Sequence, residues 1–138
     1  MQPDFLDAHE RHWCDAELLY ARQRWANADH LFGLVAECGL KRLMIASGMP
    51  LRSDGGPDQT EDRVHANKAW QRYESYRSGP ISGIAYGLPA ENPFSGWEIS
   101  QRYARKDQFD ESRVSAHRAG AEMVRRLVRQ ALMDNILP

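Results

Sequence analysis

An all-α fold follows from three features of the chain. Apolar residues recur at three- and four-residue steps over several long stretches, no run alternates with the two-residue period of a strand, and no internal repeat is visible. Glycine and proline gather in two polar loops, around 51–62 and 78–96, and leave the long periodic stretches free of proline. The expected architecture is an antiparallel bundle of four to five helices with a Gly/Pro-rich loop before the last one. At 138 residues the chain fits one domain, 1–138, large enough to bury a core without staples.

The first helix is expected over Phe5–Arg24, with Asp4 as N-cap and Phe5, His9, Trp13 and Ala16 on its apolar face. A second follows, with Ala28, Leu31 or Phe32, Val35, Cys38 or Gly39, and Leu43 inward, ending near Ser47 and Gly48 with Pro50 beyond. The intervening Arg22–Asn27 holds no glycine or proline. A break is still expected there, because one helix of more than about 40 residues does not fit so small a domain. LRSDGGPDQTED (51–62) reads as a loop, and a third helix is expected from about Arg63 to Tyr76 with Val64, Trp70, Tyr73 and Tyr76 inward. Residues 78–96 cannot sustain a long helix, although Ile81–Tyr86 suits a short turn. Asn92 to Trp97 reads as an aromatic anchor plugged into the bundle. The last helix is the clearest: Val114, His117, Ala121, Val124, Val128 and Ala131 make one stripe between Ser112 and about Asn135.

Composition narrows the function classes. The net charge of -1 gives no global basic field of the kind that marks a strong nucleic-acid binder. Cys14 and Cys38 sit in helical patterns and read as reduced, mostly buried thiols. No apolar run approaches the roughly 20 residues of a bilayer span, and the acidic N-terminal stretch is unlike a secretory signal, so a cytoplasmic protein without membrane contact is expected. His9-Glu10-Arg11-His12 has one residue too few for the zinc motif H-E-x-x-H and lacks further ligands. There is no P-loop and no G-x-G-x-x-G. Neither a metal nor a cofactor is expected.

Two clusters of residues remain. Glu37 and Lys41, at i and i+4 on the second helix, share one face in the favourable order; exposed, such a pair contributes only about 0.2–0.5 kcal/mol. Arg102-Tyr103-Ala104-Arg105-Lys106 combines an aromatic ring, which can stack on a base, with cations that hold phosphate. On the terminal helix Arg118, Arg125 and Arg129 form a basic stripe that reads either as a solvated face or as a phosphate surface.

The run Val35-Ala36-Glu37-Cys38-Gly39-Leu40-Lys41, followed by a later Arg102-Tyr103 ahead of the terminal helix, resembles the HEPN family of small helical domains over roughly residues 5–135. Many members of that family carry A-A-E-x-x-L-K in the second helix and an Arg-Tyr before the last. The resemblance implies one of two activities. Metal-independent ribonucleases of the family use an R-x4-6-H motif near the last helix, whereas members without it bind nucleotides or substrates beside small nucleotidyltransferases. Here the last helix has Arg113 and His117, an R-x3-H one residue short, and the one full match, Arg24 to His30, lies between the first two helices. His117 also occupies an inward slot, which suits a hydrogen-bonded core histidine.

The resemblance therefore implies a nucleotide- or RNA-binding domain, a homodimer or the partner of a nucleotidyltransferase-type protein. Arg102, Tyr103 and Arg105 are the expected contacts, with Glu37 and Lys41 lining the same cleft. A metal-independent ribonuclease using His117 with Arg113 or Arg102, and a structural or adaptor bundle whose aromatic-rich loop at 92–97 docks a partner, are the alternatives.

Overall fold

A computed structural model describes residues 1–137 and has the expected all-α class. It contains α1 (Phe5–Ala21), α2 (Trp25–Ala46), α3 (Ala66–Tyr76) and α4 (Glu111–Met133), with five short 3-10 segments between them. Among the described residues there is no sheet, only an isolated bridge between Leu51 and Pro57. The central element is α2, which packs against α1, α3 and α4.

Three of the helix ends have the same physical origin. At the end of α2, Gly48 takes the left-handed conformation (φ 97°), Met49 N–H donates to the Met44 carbonyl, and Gly48 N–H donates to that of Ile45. This is the Schellman arrangement that satisfies the last carbonyls of a helix. The same bonds close α1 with Gln23 (φ 57°) and α4 with Asn135 (φ 57°) in the glycine position. The break between α1 and α2 is therefore made by a glutamine, and α1 stops three residues earlier than periodicity alone suggests. At the other end of α1, Asp4 caps the helix as expected, accepting from the N–H groups of Leu6 and Asp7.

The third helix also starts later than Arg63. Residues Thr60–Asp62 form a 3-10 turn, and the Asp62 side chain, fully buried, accepts from Arg72 Nε at 2.7 Å and Tyr76 Oη at 2.6 Å. That bond network clamps the preceding loop across α3 instead of letting the helix extend backward. The Gly/Pro-rich stretch is held by the aromatic side chains of α3: Trp70 Nε1 donates to the Pro89 carbonyl and Tyr73 Oη to that of Tyr86.

The core is continuous from α1 to α4. Phe32, Leu40, Leu43, Met44, Trp70, Tyr73, Phe94, Trp97, Val114 and Val128 are all essentially inaccessible. Phe94 and Trp97 are thus the anchors expected between Asn92 and Trp97. Trp97 lies directly on Gly33, where a Cβ would stand 2.0 Å from the indole, so only glycine lets the ring reach the helix backbone. No helix of the described residues is long and apolar enough to cross a membrane. Both cysteines are free; Cys38 is buried as expected, but Cys14 is exposed, against the expectation of a buried thiol.

Two of the three arginines in the basic stripe of α4 are taken up by α1, and Arg129 alone is left exposed. Arg118 reaches Glu17 through Nε (2.6 Å) and a terminal nitrogen (3.1 Å), and Arg125 meets Glu10 at 2.9 Å, so both bridge to α1. Their guanidinium planes lie over Tyr20 and Trp13.

One core histidine makes stability depend on pH. His9 is fully buried, and because a carbonyl can only accept, its Nδ1 donates to Val35 O at 2.8 Å, leaving Nε2 without a partner. Burial holds its pKa below the ordinary imidazole value of 6.5. Protons then bind the unfolded chain more readily than the folded one below that value, so stability is full above it and is lost as the pH falls. His12 and His30, lowered for the same main reason, act in the same direction. The urea midpoint is expected to fall between pH 7 and pH 5, with a shallower decline in His9→Gln. An unchanged midpoint over that range would contradict it.

Candidate functional site

The short segment Ile99–Tyr103 is the feature around which polar side chains gather. It is a 3-10 helix closed by a capping box, in which the Glu98 side chain accepts from the Gln101 backbone while Gln101 Oε1 accepts from Glu98 N–H. Gln101 is fixed a second time from below. Its Nε2 donates at 2.7 Å to Asp29, whose carboxylate also receives Arg113 Nε at 3.2 Å and His117 Nδ1 at 2.5 Å. Asp29 is fully buried in the second turn of α2, so one carboxylate ties α2, α4 and the Gln101 segment together. The Asp29 backbone carbonyl accepts from Trp97 Nε1 at 3.1 Å, just before the segment begins.

Grooves run along the flanks of this ridge. One, of about 560 Å³, lies between the segment and the start of α2 and includes Arg24, Trp25, Asn27, Arg102 and Lys106. Arg24 is the N-cap of α2 and makes no side-chain capping bond, and none of Arg24, Arg102 and Lys106 forms an ion pair among the described residues. Three cations and one carboxylate, Asp107, thus line the groove at the end of α2, whose free N–H groups also favour negative charge. Arg102 lies over the ring of Tyr103, with its central carbon 4.9 Å from the ring centre. Tyr103, 79% exposed, lines an adjoining groove with Arg113.

A further groove, of about 270 Å³, is lined by Glu98, Ile99 and Ser100 and by Arg63, His65, Asn67 and Lys68. Behind it lies Glu37. Lys41 Nζ donates to Glu37 Oε1 at 2.9 Å and His65 Nδ1 to Oε2 at 3.1 Å. Burial by itself raises the Glu37 pKa, but the bonds from His65 and Lys41 outweigh it and hold the carboxyl below its ordinary range. The Lys41 ammonium also stands 5.8 Å from the centre of the Phe5 ring. His30, one face along α2, stacks on Trp97 with ring centres 5.6 Å apart and has its Nδ1 buried without a partner. Burial lowers the His30 pKa first and the Arg102 charge second, while Asp29 and Glu37 oppose them. His30 therefore lies within electrostatic reach of both the cationic groove and the Glu37 cluster.

The expected single cleft is divided. Arg102 lines the cationic groove, but Glu37 and Lys41 do not; they form a buried pair about 20 Å further along α2, given its rise of about 1.5 Å per residue. Arg105 is not in that groove either and makes an exposed pair with Asp107 at 3.1 Å. Arg113 and His117 do come together, at Asp29, yet His117 is only 5% exposed and stacks on Phe94. Three contributors are not singled out by the sequence pattern, Asp29, His65 and Lys68, while Arg24 and His30 stand out there only as an R-x5-H match outside the terminal helix. Asp29 carried one available signal, since it sits among Ala28, Phe32 and Ala36 on an inward face where a carboxylate needs partners. No group of three or more His, Cys, Asp or Glu among the described residues is arranged to hold a metal.

No family model matches this chain, and neither a curated protein nor a solved structure matches it.

Proposed function

We propose that this chain binds a nucleotide or a short RNA segment, with phosphate in the groove of Arg24, Arg102 and Lys106. The observation that carries the reading is the set of three unpaired cations at the free N-terminal end of α2. Guanidinium groups and backbone N–H groups both suit phosphate oxygens. The exposed Tyr103 ring, already covered on one side by Arg102, offers a face for a base. The HEPN-like pattern of the sequence agrees with such a role, and implies a homodimer or a nucleotidyltransferase-type partner as its setting.

Metal-independent RNA cleavage through Arg113 and His117 is the less supported reading, because the His117 ring is buried and its Nδ1 is committed to Asp29. Binding of a fluorescent RNA hexamer, followed by polarisation across a salt series, tests the main reading. Arg24→Ala and Arg102→Ala are each expected to weaken binding, and to reduce the salt slope by about 0.7 for each single-strand phosphate that is no longer neutralised. Affinity and slope equal to those of the parent chain in both variants would remove the assignment.

A further inference from the structure

One of the five histidines of this chain, His65 from the turn before α3, is held directly by the buried carboxylate of Glu37 on α2. We propose that His65, oriented by Glu37, is the proton-transfer residue of a hydrolytic site that opens a P–O bond of a nucleotide lying along the Ile99–Tyr103 ridge. The proposal rests on the nucleotide-binding reading above and adds to it a chemistry and a second groove.

The geometry of the pair carries the argument. A carboxylate can only accept, so the bond at 3.1 Å places the hydrogen of neutral His65 on Nδ1 and the lone pair on Nε2. The side chain of His65 is 47% exposed and borders the groove with Lys68, Asn67 and Ser100, so that this lone pair has access to a ligand. Lys41 fixes the other oxygen of Glu37, which keeps the carboxylate from turning away. Burying an ion pair seldom adds stability over apolar packing, whereas a braced carboxylate behind an accessible imidazole is the arrangement that general-base chemistry requires.

The step balances with water as the co-reactant. His65 Nε2 takes a proton from a water molecule in the groove as its oxygen forms a bond to phosphorus. The P–O bond to the leaving oxygen breaks, and that oxygen receives the proton back from His65. Lys68 stands in the same groove to hold a phosphate oxygen.

The test uses the full chain with two probes, an adenine dinucleotide joined by a phosphodiester and ATP, with products separated by anion-exchange chromatography. Turnover of one or the other identifies which P–O bond is the substrate. His65→Ala and His65→Gln are expected to lower the rate by about 100-fold or more, with the Kd for intact probe unchanged. Added imidazole is expected to restore part of the activity of His65→Ala, which a merely structural role would not allow. Cleavage of the 2′-deoxy dinucleotide at the same rate confirms water as the nucleophile, and cleavage of the ribose form alone overturns that step. A parent chain that binds both probes and turns over neither, or a His65→Ala chain as fast as the parent, overturns the inference and leaves the binding reading standing. Absence of binding removes both.

Discussion

Trp97→Ala is expected to cost about 3–5 kcal/mol, the range for removing a large aromatic from a core. The indole is fully buried, lies against the bare backbone at Gly33, stacks on His30 and donates through Nε1 to the Asp29 carbonyl. Its loss leaves a cavity beneath the ridge and frees the chain just ahead of Glu98. Filling the same space from the other side gives a companion test. Gly33→Ala introduces a Cβ at 2.0 Å from the ring and is expected to lose about 1–3 kcal/mol through overpacking, although alanine is otherwise the better helix former. Urea denaturation measures both. A Gly33→Ala chain as stable as the parent would mean that the indole does not sit where the packing demands.

The second large effect is expected at Asp29. Its replacement by alanine removes the acceptor of His117, Arg113 and Gln101 at once and leaves the His117 Nδ1–H buried without a partner. Leaving such donors unsatisfied is expected to lower stability by roughly 3 kcal/mol; Arg113, a third exposed, recovers some hydration and limits the loss. The functional consequence separates this site from an ordinary core position. Gln101 precedes Arg102, so the ridge loses its lower tether, and RNA affinity is expected to fall even under conditions where the variant is fully folded. Gln101→Ala, which cuts the tether while leaving Asp29 bonded to α4, is expected to reproduce the affinity loss with a smaller stability loss. Full RNA affinity in a folded Gln101→Ala chain would show that the Asp29 tether does not position Arg102.

The bundle itself was legible because helices are written locally. The three- and four-residue recurrence of Val114, His117, Ala121, Val124 and Val128 is a property of neighbouring positions, and it survives whatever the helix later packs against. The same holds for Asp4 as a cap and for Gly48 as a stop. Helix ends were read less well where an unusual residue did the work, as with Gln23 in a left-handed turn, since propensity assigns that place to glycine or asparagine.

The local order of residues determined the all-α class, the anchoring role of Phe94 and Trp97, and the i, i+4 pairing of Glu37 with Lys41. Only the tertiary structure decided that this pair is buried and braces His65, twenty-eight positions beyond Glu37 along the chain. It likewise decided that Arg102 faces Arg24 instead of Glu37, and that Asp29 gathers Gln101, Arg113 and His117. Spacing within a helix constrains which groups share a face. Which distant face meets it depends on how whole elements pack, and no short run of residues carries that information.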